Sequence, residues 1–228
     1  GPLVMMAQLP DNVINSLNEI VDVVKDKKDM GSRLAGQIKK ESEIPHFMLE
    51  QKNVMSVFHA VGKSYVQQAY LNAGQKNFYD AMNITTQMKS IWSVSQYENE
   101  YNPQHNHSNC QISAVLYLRM PFMKPRNIVG KNDLDGKIEF TFCNTDSIFT
   151  TGSFVVNPKV GTLLLFPNTL FHQVYPFQGD GERRSIAFNM SYKGFKKDSG
   201  IQIAGDSVNL YNETHHKESI PYVRLENV

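Results

Sequence analysis

Residues 102–118 read Asn-Pro-Gln-His-Asn-His-Ser-Asn-Cys-Gln-Ile-Ser-Ala-Val-Leu-Tyr-Leu, a turn signal running into a β-like stretch with two histidines at its head. Here the hydrophobic period is two rather than 3.6, which marks strand rather than helix. The same alternation of apolar and small residues recurs at 91–97, 112–120, 137–142, 162–166 and 185–192. Turn chemistry separates these runs: Asn102-Pro103, Pro121, residues 132–136, Asn157-Pro158, Pro167-Asn168 and Gly179-Asp180-Gly181. Short strands at this spacing predict a β-sandwich or jelly roll.

Before residue 85 the period is helical. Val13, Leu17, Ile20, Val21 and Val24 make one apolar stripe over 11–27, with Asp11 after Pro10 as a candidate N-cap. A weaker helix is predicted over 32–43 from Leu34, Ala35 and Ile38. The strongest runs over 50–73, with Val54, Val57, Phe58, Val61, Tyr65 and Ala69 on one side and Gly74 to stop it. Helices first and strands after predict an α+β fold in which N-terminal helices pack on one sheet of a jelly roll. Residues 1–9 read as a cloning scar (Gly1-Pro2-Leu3-Val4 ahead of Met5-Met6) and flexible start, with no charged-then-apolar leader, and 10–86 as helical support. A β core is expected over 87–196 and a C-terminal extension over 197–228, all in one domain.

The net charge is +1 over 228 residues, so no global basicity advertises nucleic acid or an anionic membrane. The lysines of the first helices (Lys25, Lys27, Lys28, Lys39, Lys40) alternate with Asp22, Asp26, Asp29, Glu41 and Glu43, a solvated mixed face rather than a phosphate-binding stripe. No run reaches the ~18 apolar residues of a membrane helix. Cys110 and Cys143, the two cysteines, are expected as free thiols in strands, which suggests a reducing cytoplasm.

Residues two apart on a strand share a face, so His105 and His107 can reach one metal ion together. His172 follows the apolar run 162–166 and opens another β-like stretch. From residue 183, Arg183, Ser185, Ala187 and Asn189 share a face, opposite Arg184, Ile186 and Phe188. An arginine on the inward face is costly unless an anion meets it, and Ser185 adds a hydroxyl donor to such a group. Arg184 is expected as an exposed charge. Trp92 is expected in the core, and His46 and His59 at the surface or in packing. His215 and His216 are adjacent and so point apart.

The ordered set resembles the 2-oxoglutarate/Fe(II) dioxygenase superfamily. It comprises His-x-His, Tyr117-Leu118, Gly161 to Pro167 (Gly-x-Leu-Leu-x-Phe-Pro), His172-x-Val-x-Pro-Phe, and Gly181-Glu-Arg-x-Ser-Ile-x-Phe-Asn. More narrowly, residues 102–118 and the helical start at 34–41 resemble the small 2-oxoglutarate/Fe(II) oxygenases of marine tailed phages, over about 10–192. The resemblance implies a double-stranded β-helix, Fe(II) as metal and 2-oxoglutarate as co-substrate. It implies hydroxylation of an unidentified substrate (a protein residue, a nucleobase or a small metabolite) with release of succinate and CO2. Carried over, His105 and His172 are the two histidine ligands. Position 107 is where the wider family has Asp or Glu, and this chain has His107, either as third ligand or beside the ligands. Glu139 and Asp146 are candidates for a substitute carboxylate. Arg183 with Ser185 matches the pair that grips the distal carboxylate of 2-oxoglutarate, and Tyr117 matches a strand tyrosine donating to the same group, or else a core tyrosine.

Two rivals share the jelly roll. A cupin-type metal enzyme would use the histidines without 2-oxoglutarate, with Gln111 where cupins place a glutamate. A non-catalytic virion or carbohydrate-binding module would leave the His-x-His exposed and pair Arg183 with a protein carboxylate.

Overall fold

The structure, a computed structural model, describes residues 1–27, 30–31, 34–127, 129, 131–142 and 152–206. Along the chain run β1 (Met5–Gln8), α1 (Asp11–Val24), β2 (Lys40–Glu43), α2 (His46–Gln51), α3 (Met55–Asn72), α4 (Lys76–Asp80), β3 (Met82–Gln96) and β4 (Asn102–His105). Then come β5 (Ile112–Arg119), β6 (Phe122–Met123), β7 (Ile138–Thr141), β8 (Ser153–Val156), β9 (Thr162–Pro167), β10 (Phe171–Val174), β11 (Gly179–Asp180), β12 (Arg183–Lys196) and β13 (Gln202–Gly205).

Alternation along β12 organises these elements. Ile186, Phe188 and Met190 point to one side of a seven-stranded sheet ordered β1-β9-β5-β12-β3-β2, with β13 paired to β12. There they pack with Leu17, Ile20 and Val21 of α1 and Phe58 and Tyr65 of α3 in the larger core. On the other side, Tyr117, Leu164 and Phe166 meet Ile138, Phe140 and Val174 of the four-stranded sheet β4-β10-β7-β8. Helices, major sheet and minor sheet therefore form three layers, the double-stranded β-helix with N-terminal helices on one sheet.

Four local expectations are corrected. Residues 34–43 are not helical: Gln37 bridges Tyr101 and β2 pairs with β3. Ile38 is drawn into a small cluster with Trp92 and Val94, and a Cβ on Gly36 would stand 2.5 Å from Asn102 Oδ1. Tertiary packing here overrides the helical spacing. The 50–73 helix is two helices, because Asn53 adopts φ 57° between α2 and α3, a left-handed turn that Asn tolerates. Residues 5–8 are no loose start but an edge strand against 162–165 of β9. At α1, Pro10 rather than Asp11 is the N-cap residue, with Asp11 in the first turn.

Arg184 is the largest correction: it is fully buried, at 0% exposure. Its Nε and Nη2 donate to the two oxygens of Glu182 at 2.8 and 2.9 Å, Nη2 also reaches Asp22 at 2.8 Å, and Nη1 reaches Asn18 Oδ1 at 3.1 Å. Ser95 and Arg119 complete Glu182 at 2.6 and 3.2 Å. Helix α1 lies over this face and supplies Asn18 and Asp22, which is why the charge is covered. Burial alone would raise the Glu182 carboxyl, but Arg184 and Ser95 hold it below its ordinary range.

Cys110 is a half-buried free thiol just ahead of β5 rather than within it. Cys143, Asp146, His215 and His216 lie outside the described residues. Among the described residues, no helix is long and apolar enough to cross a membrane.

Candidate active site

Strand pairing brings the first two histidines together, since His105 of β4 stands directly opposite His172 of β10. His107 lies just past β4, its backbone fixed by Asn168: the His107 N–H donates to Asn168 O at 2.9 Å, and Asn168 Nδ2 donates back to His107 O at 3.0 Å. The three rings converge, with one ligating nitrogen from each lying within 4.8 Å of the others. His107 and His172 are nearly parallel, 7° apart, with their Nε2 atoms at 3.3 Å.

Tautomers follow from the partners. His105 Nδ1 lies 2.7 Å from Pro103 O, and His172 Nδ1 lies 3.0 Å from Leu170 O. A carbonyl can only accept, so both Nδ1 atoms carry the proton and both Nε2 atoms present lone pairs. Burial depresses all three imidazoles, His107 to about 4 and His172 to about 3, with His105 adding to the effect on each. The neighbouring Asn189 side chain opposes it at His107. Neutral at pH 7, the cluster is a set of nitrogen donors rather than a set of cations.

These histidines line a cavity of about 390 Å³ together with Trp92, Val94, Asn102, Arg183, Ser185 and Asn189. Trp92, expected as core, is buried and also stacks on the His107 ring at 6.0 Å between centroids. Glu41 of β2 is a buried part of the wall, which the helix expected over 32–43 concealed. Phe140 and Phe166 pack around His172.

Arg183 is 1% exposed and pairs with no carboxylate among the described residues. Its Nε donates to Gly136 O at 3.0 Å and its guanidinium carbon lies 5.1 Å from the Tyr117 ring centroid. Arg183 Nη2 and the Tyr117 hydroxyl are both buried without a hydrogen-bond partner. Burial pushes Tyr117 up to about 12 and Arg183 below its ordinary value. Ser185 stands beside Tyr117 in register, buried on the same face. An unmatched cation and a serine facing one cavity, with an unmatched hydroxyl buried beside the cation, suit a carboxylate.

Two sequence candidates fall away. Glu139 stands opposite Gln173, one residue out of phase with His172, and its carboxylate is held on the outer face by Ser153, Gln173 and Tyr175. Gln111 Oε1 accepts from the Tyr192 N–H at 3.0 Å and does not line the cavity.

A jelly roll with clustered neutral histidines and a buried, unpaired arginine in one cavity defines a class: metal-dependent enzymes that bind an anionic co-substrate. Residues 90–189 match the family model of the 2OG-Fe(II) oxygenases. In fold the chain is similar to HygX from Streptomyces hygroscopicus, solved with nickel, 2-oxoglutarate and hygromycin B (12% identity, 83% of this chain, 82% of that one, TM-score 0.52). It is also similar to the non-heme alpha ketoglutarate dependent epimerase SnoN from nogalamycin biosynthesis (9% identity, 89% of each chain, TM-score 0.53). A prolyl-4-hydroxylase of Pseudomonas putida aligns over 82% of this chain and 91% of its own at 15% identity and TM-score 0.48. No curated protein matches the chain in sequence.

Proposed function

We propose that His105, His107 and His172 hold Fe(II) and that Arg183, Ser185 and Tyr117 hold the distal carboxylate of 2-oxoglutarate, for hydroxylation of a substrate bound in the same cavity. The unpaired Arg183 carries this reading: a guanidinium without a carboxylate partner, in a cavity that also holds three neutral imidazoles, calls for a carboxylate ligand that also meets a metal. Bound Fe(II) would supply the redox chemistry with O2 as oxidant, one oxygen atom going to succinate as 2-oxoglutarate loses CO2 and the other to a substrate C–H to give the alcohol.

The chain's own residues bind, orient and exclude water. Pro103 and Leu170 carbonyls fix two ring tautomers so that Nε2 faces the metal position. Arg183 and Tyr117 set the direction of the co-substrate, and Ile138, Phe166 and Val174 keep the wall apolar. No nucleophilic side chain is required.

Protein residues, nucleobases and small metabolites all offer a group that fits beside 2-oxoglutarate in about 390 Å³. Residues 102–118 support a phage origin, with the host cytoplasm, reducing enough to keep iron ferrous and Cys110 free, as the location.

Anaerobic addition of Fe(II) and then 2-oxoglutarate is expected to give the visible charge-transfer band of the chelate. The absence of the band, together with no thermal stabilisation by 2-oxoglutarate or N-oxalylglycine, would refute the assignment. A cupin-type enzyme would gain stability from the metal alone, and a binding module from neither.

A further inference from the structure

We infer that Asp135 is a positioning residue for the co-substrate: it anchors the turn whose Gly136 carbonyl aims the Arg183 guanidinium into the cavity. The inference rests on the proposed 2-oxoglutarate site and adds to it a turn far from β12 in sequence.

The direction of Arg183 is set at one atom. Its Nε donates to Gly136 O at 3.0 Å, a buried bond, while Nη2 is buried without a partner. A carboxylate can meet a guanidinium at its Nη end or at its Nε side. With Nε taken by the protein, the Nη end is the one left for a ligand. The Tyr117 ring, 5.1 Å from the guanidinium carbon, restrains where the group lies but not which nitrogen points inward. The Gly136 carbonyl makes that choice.

The carbonyl belongs to an irregular piece of chain just ahead of β7. Leu134 O accepts from the Lys137 N–H at 3.0 Å, closing a four-residue turn with Gly136 third, at φ 66°. That left-handed position favours glycine, and a Cβ there would also stand 2.8 Å from Met123 Sδ. One support of the turn is the Gly136 N–H, which donates to Pro176 O at 3.2 Å. The other is Asp135, buried with both carboxylate oxygens engaged. Oδ1 lies 2.6 Å from Arg126 Nε in an ion pair, and Oδ2 accepts from the Gln178 N–H at 3.2 Å. Gln178 is itself tied to the β6–β11 ribbon, its carbonyl accepting from the Lys124 N–H at 2.7 Å. One carboxylate thus fastens the turn to two separate segments, as a supporting shell must if a binding group is to hold its place within about 0.5 Å.

Such a role predicts a selective loss. A displaced Gly136 carbonyl redirects Arg183 and weakens its hold on the distal carboxylate, while the three histidines keep their own supports at Pro103, Asn168 and Leu170.

The test uses the whole chain loaded with Zn(II), a redox-silent probe. Calorimetry compares 2-oxoglutarate with 2-oxopentanoate, which carries a methyl group in place of the distal carboxylate. The unsubstituted chain is expected to prefer 2-oxoglutarate. Asp135→Ala should weaken 2-oxoglutarate by about 10-fold, inside the ~100-fold that a misplacement of about 1 Å can cost. Affinity for 2-oxopentanoate and for Zn(II) should stay within about twofold, and so should 2-oxoglutarate affinity when Asp135→Ala is added to Arg183→Met. Asp135→Asn keeps an acceptor for the Gln178 N–H and should recover most of the loss. Gly136→Ala, strained at φ 66°, should reproduce the selective loss, and this variant decides the matter if Asp135→Ala does not fold. Equal losses for both ligands, an unchanged preference in the variants, or a loss undiminished in the Arg183→Met background would overturn the positioning role and leave the 2-oxoglutarate site standing. An unsubstituted chain with no preference for 2-oxoglutarate would overturn both.

Discussion

Arg183→Met separates what the arginine does for the chain from what it does for a ligand. Methionine keeps much of the side-chain length and removes the charge. Without a ligand, the substitution forfeits the bond from Nε to Gly136 O, about 1.5–3 kcal/mol for a charged donor, and the contact over Tyr117, about 0.5–2 kcal/mol. Against this stands relief from burying a cation at 1% exposure with no carboxylate beside it, a penalty of several kcal/mol. The opposing contributions are of one size, so the ligand-free chain should change by no more than about 1–2 kcal/mol, or ~2–8 °C in Tm for a chain of this length. Binding of 2-oxoglutarate should suffer far more. Losing one partner of a desolvated charge pair costs about 2–5 kcal/mol, which is roughly 30- to 5,000-fold in Kd. Calorimetric titration of 2-oxoglutarate into the Zn(II)-loaded chain, beside a thermal melt of each variant, measures both. A variant that melts more than about 10 °C lower yet binds 2-oxoglutarate normally would refute the reasoning, since Arg183 would then be a structural cation.

The neighbouring residue should behave oppositely: Arg184→Ala strands Glu182 in the core and is expected to cost about 3–5 kcal/mol, or roughly 6–20 °C, read by thermal melt; a loss under ~1 kcal/mol would mean that water reaches the site. In the metal-free chain, His107 and His172 are depressed to about 4 and about 3 from 6.5. The unfolded chain therefore binds more protons below pH 6.5, and stability should fall from pH 6.5 down toward those values. A urea midpoint flat from pH 7 to 4.5 would contradict this. Glu139→Gln should leave Zn(II) affinity within about twofold, because its carboxylate sits outside the cavity; a tenfold loss would return it to the metal's surroundings.

Much of the fold is written in periodicity that a reader can follow. The alternation in 112–120 gave β5 almost to the residue and that in 185–192 the middle of the longer β12, because a strand buried on both faces cannot tolerate a shift of one. Helix α1 was equally plain. The failures share a cause, namely that a covering element is not visible from the covered one. Arg184 looked like a surface charge because its partners, Asp22 and Glu182, are distributed over a helix and a turn. Lys40–Glu43 carries no apolar residue, so nothing local marks it as a strand with Glu41 and Ser42 inside. The break at Asn53 did have a local signal, an asparagine three residues ahead of Ser56, outweighed by the long apolar stripe. Asn189 was in phase with Arg183 from the start, yet phase says only which way a side chain points. That it shares a cavity with His107 depends on a loop held by Asn168, which no spacing encodes.

The adjacency of Arg183 and Arg184 makes β12 a strand with two near-equivalent charges on opposite faces, and hence a hazard of misalignment. A slip of one position would deliver a guanidinium to each side just as the native register does, so charge alone cannot reject the error. Rejection falls to the residues that follow. Slipped by one, Ile186, Phe188 and Met190 would fill the ligand cavity, while Ser185 and Asn189 would be pressed into the helix-facing core. The small and polar residues beyond the arginines therefore serve as a frame check on assembly as well as a lining for the site. Polar-to-apolar changes at Ser185 or Asn189 would weaken that check, and their first symptom would be slow or heterogeneous folding.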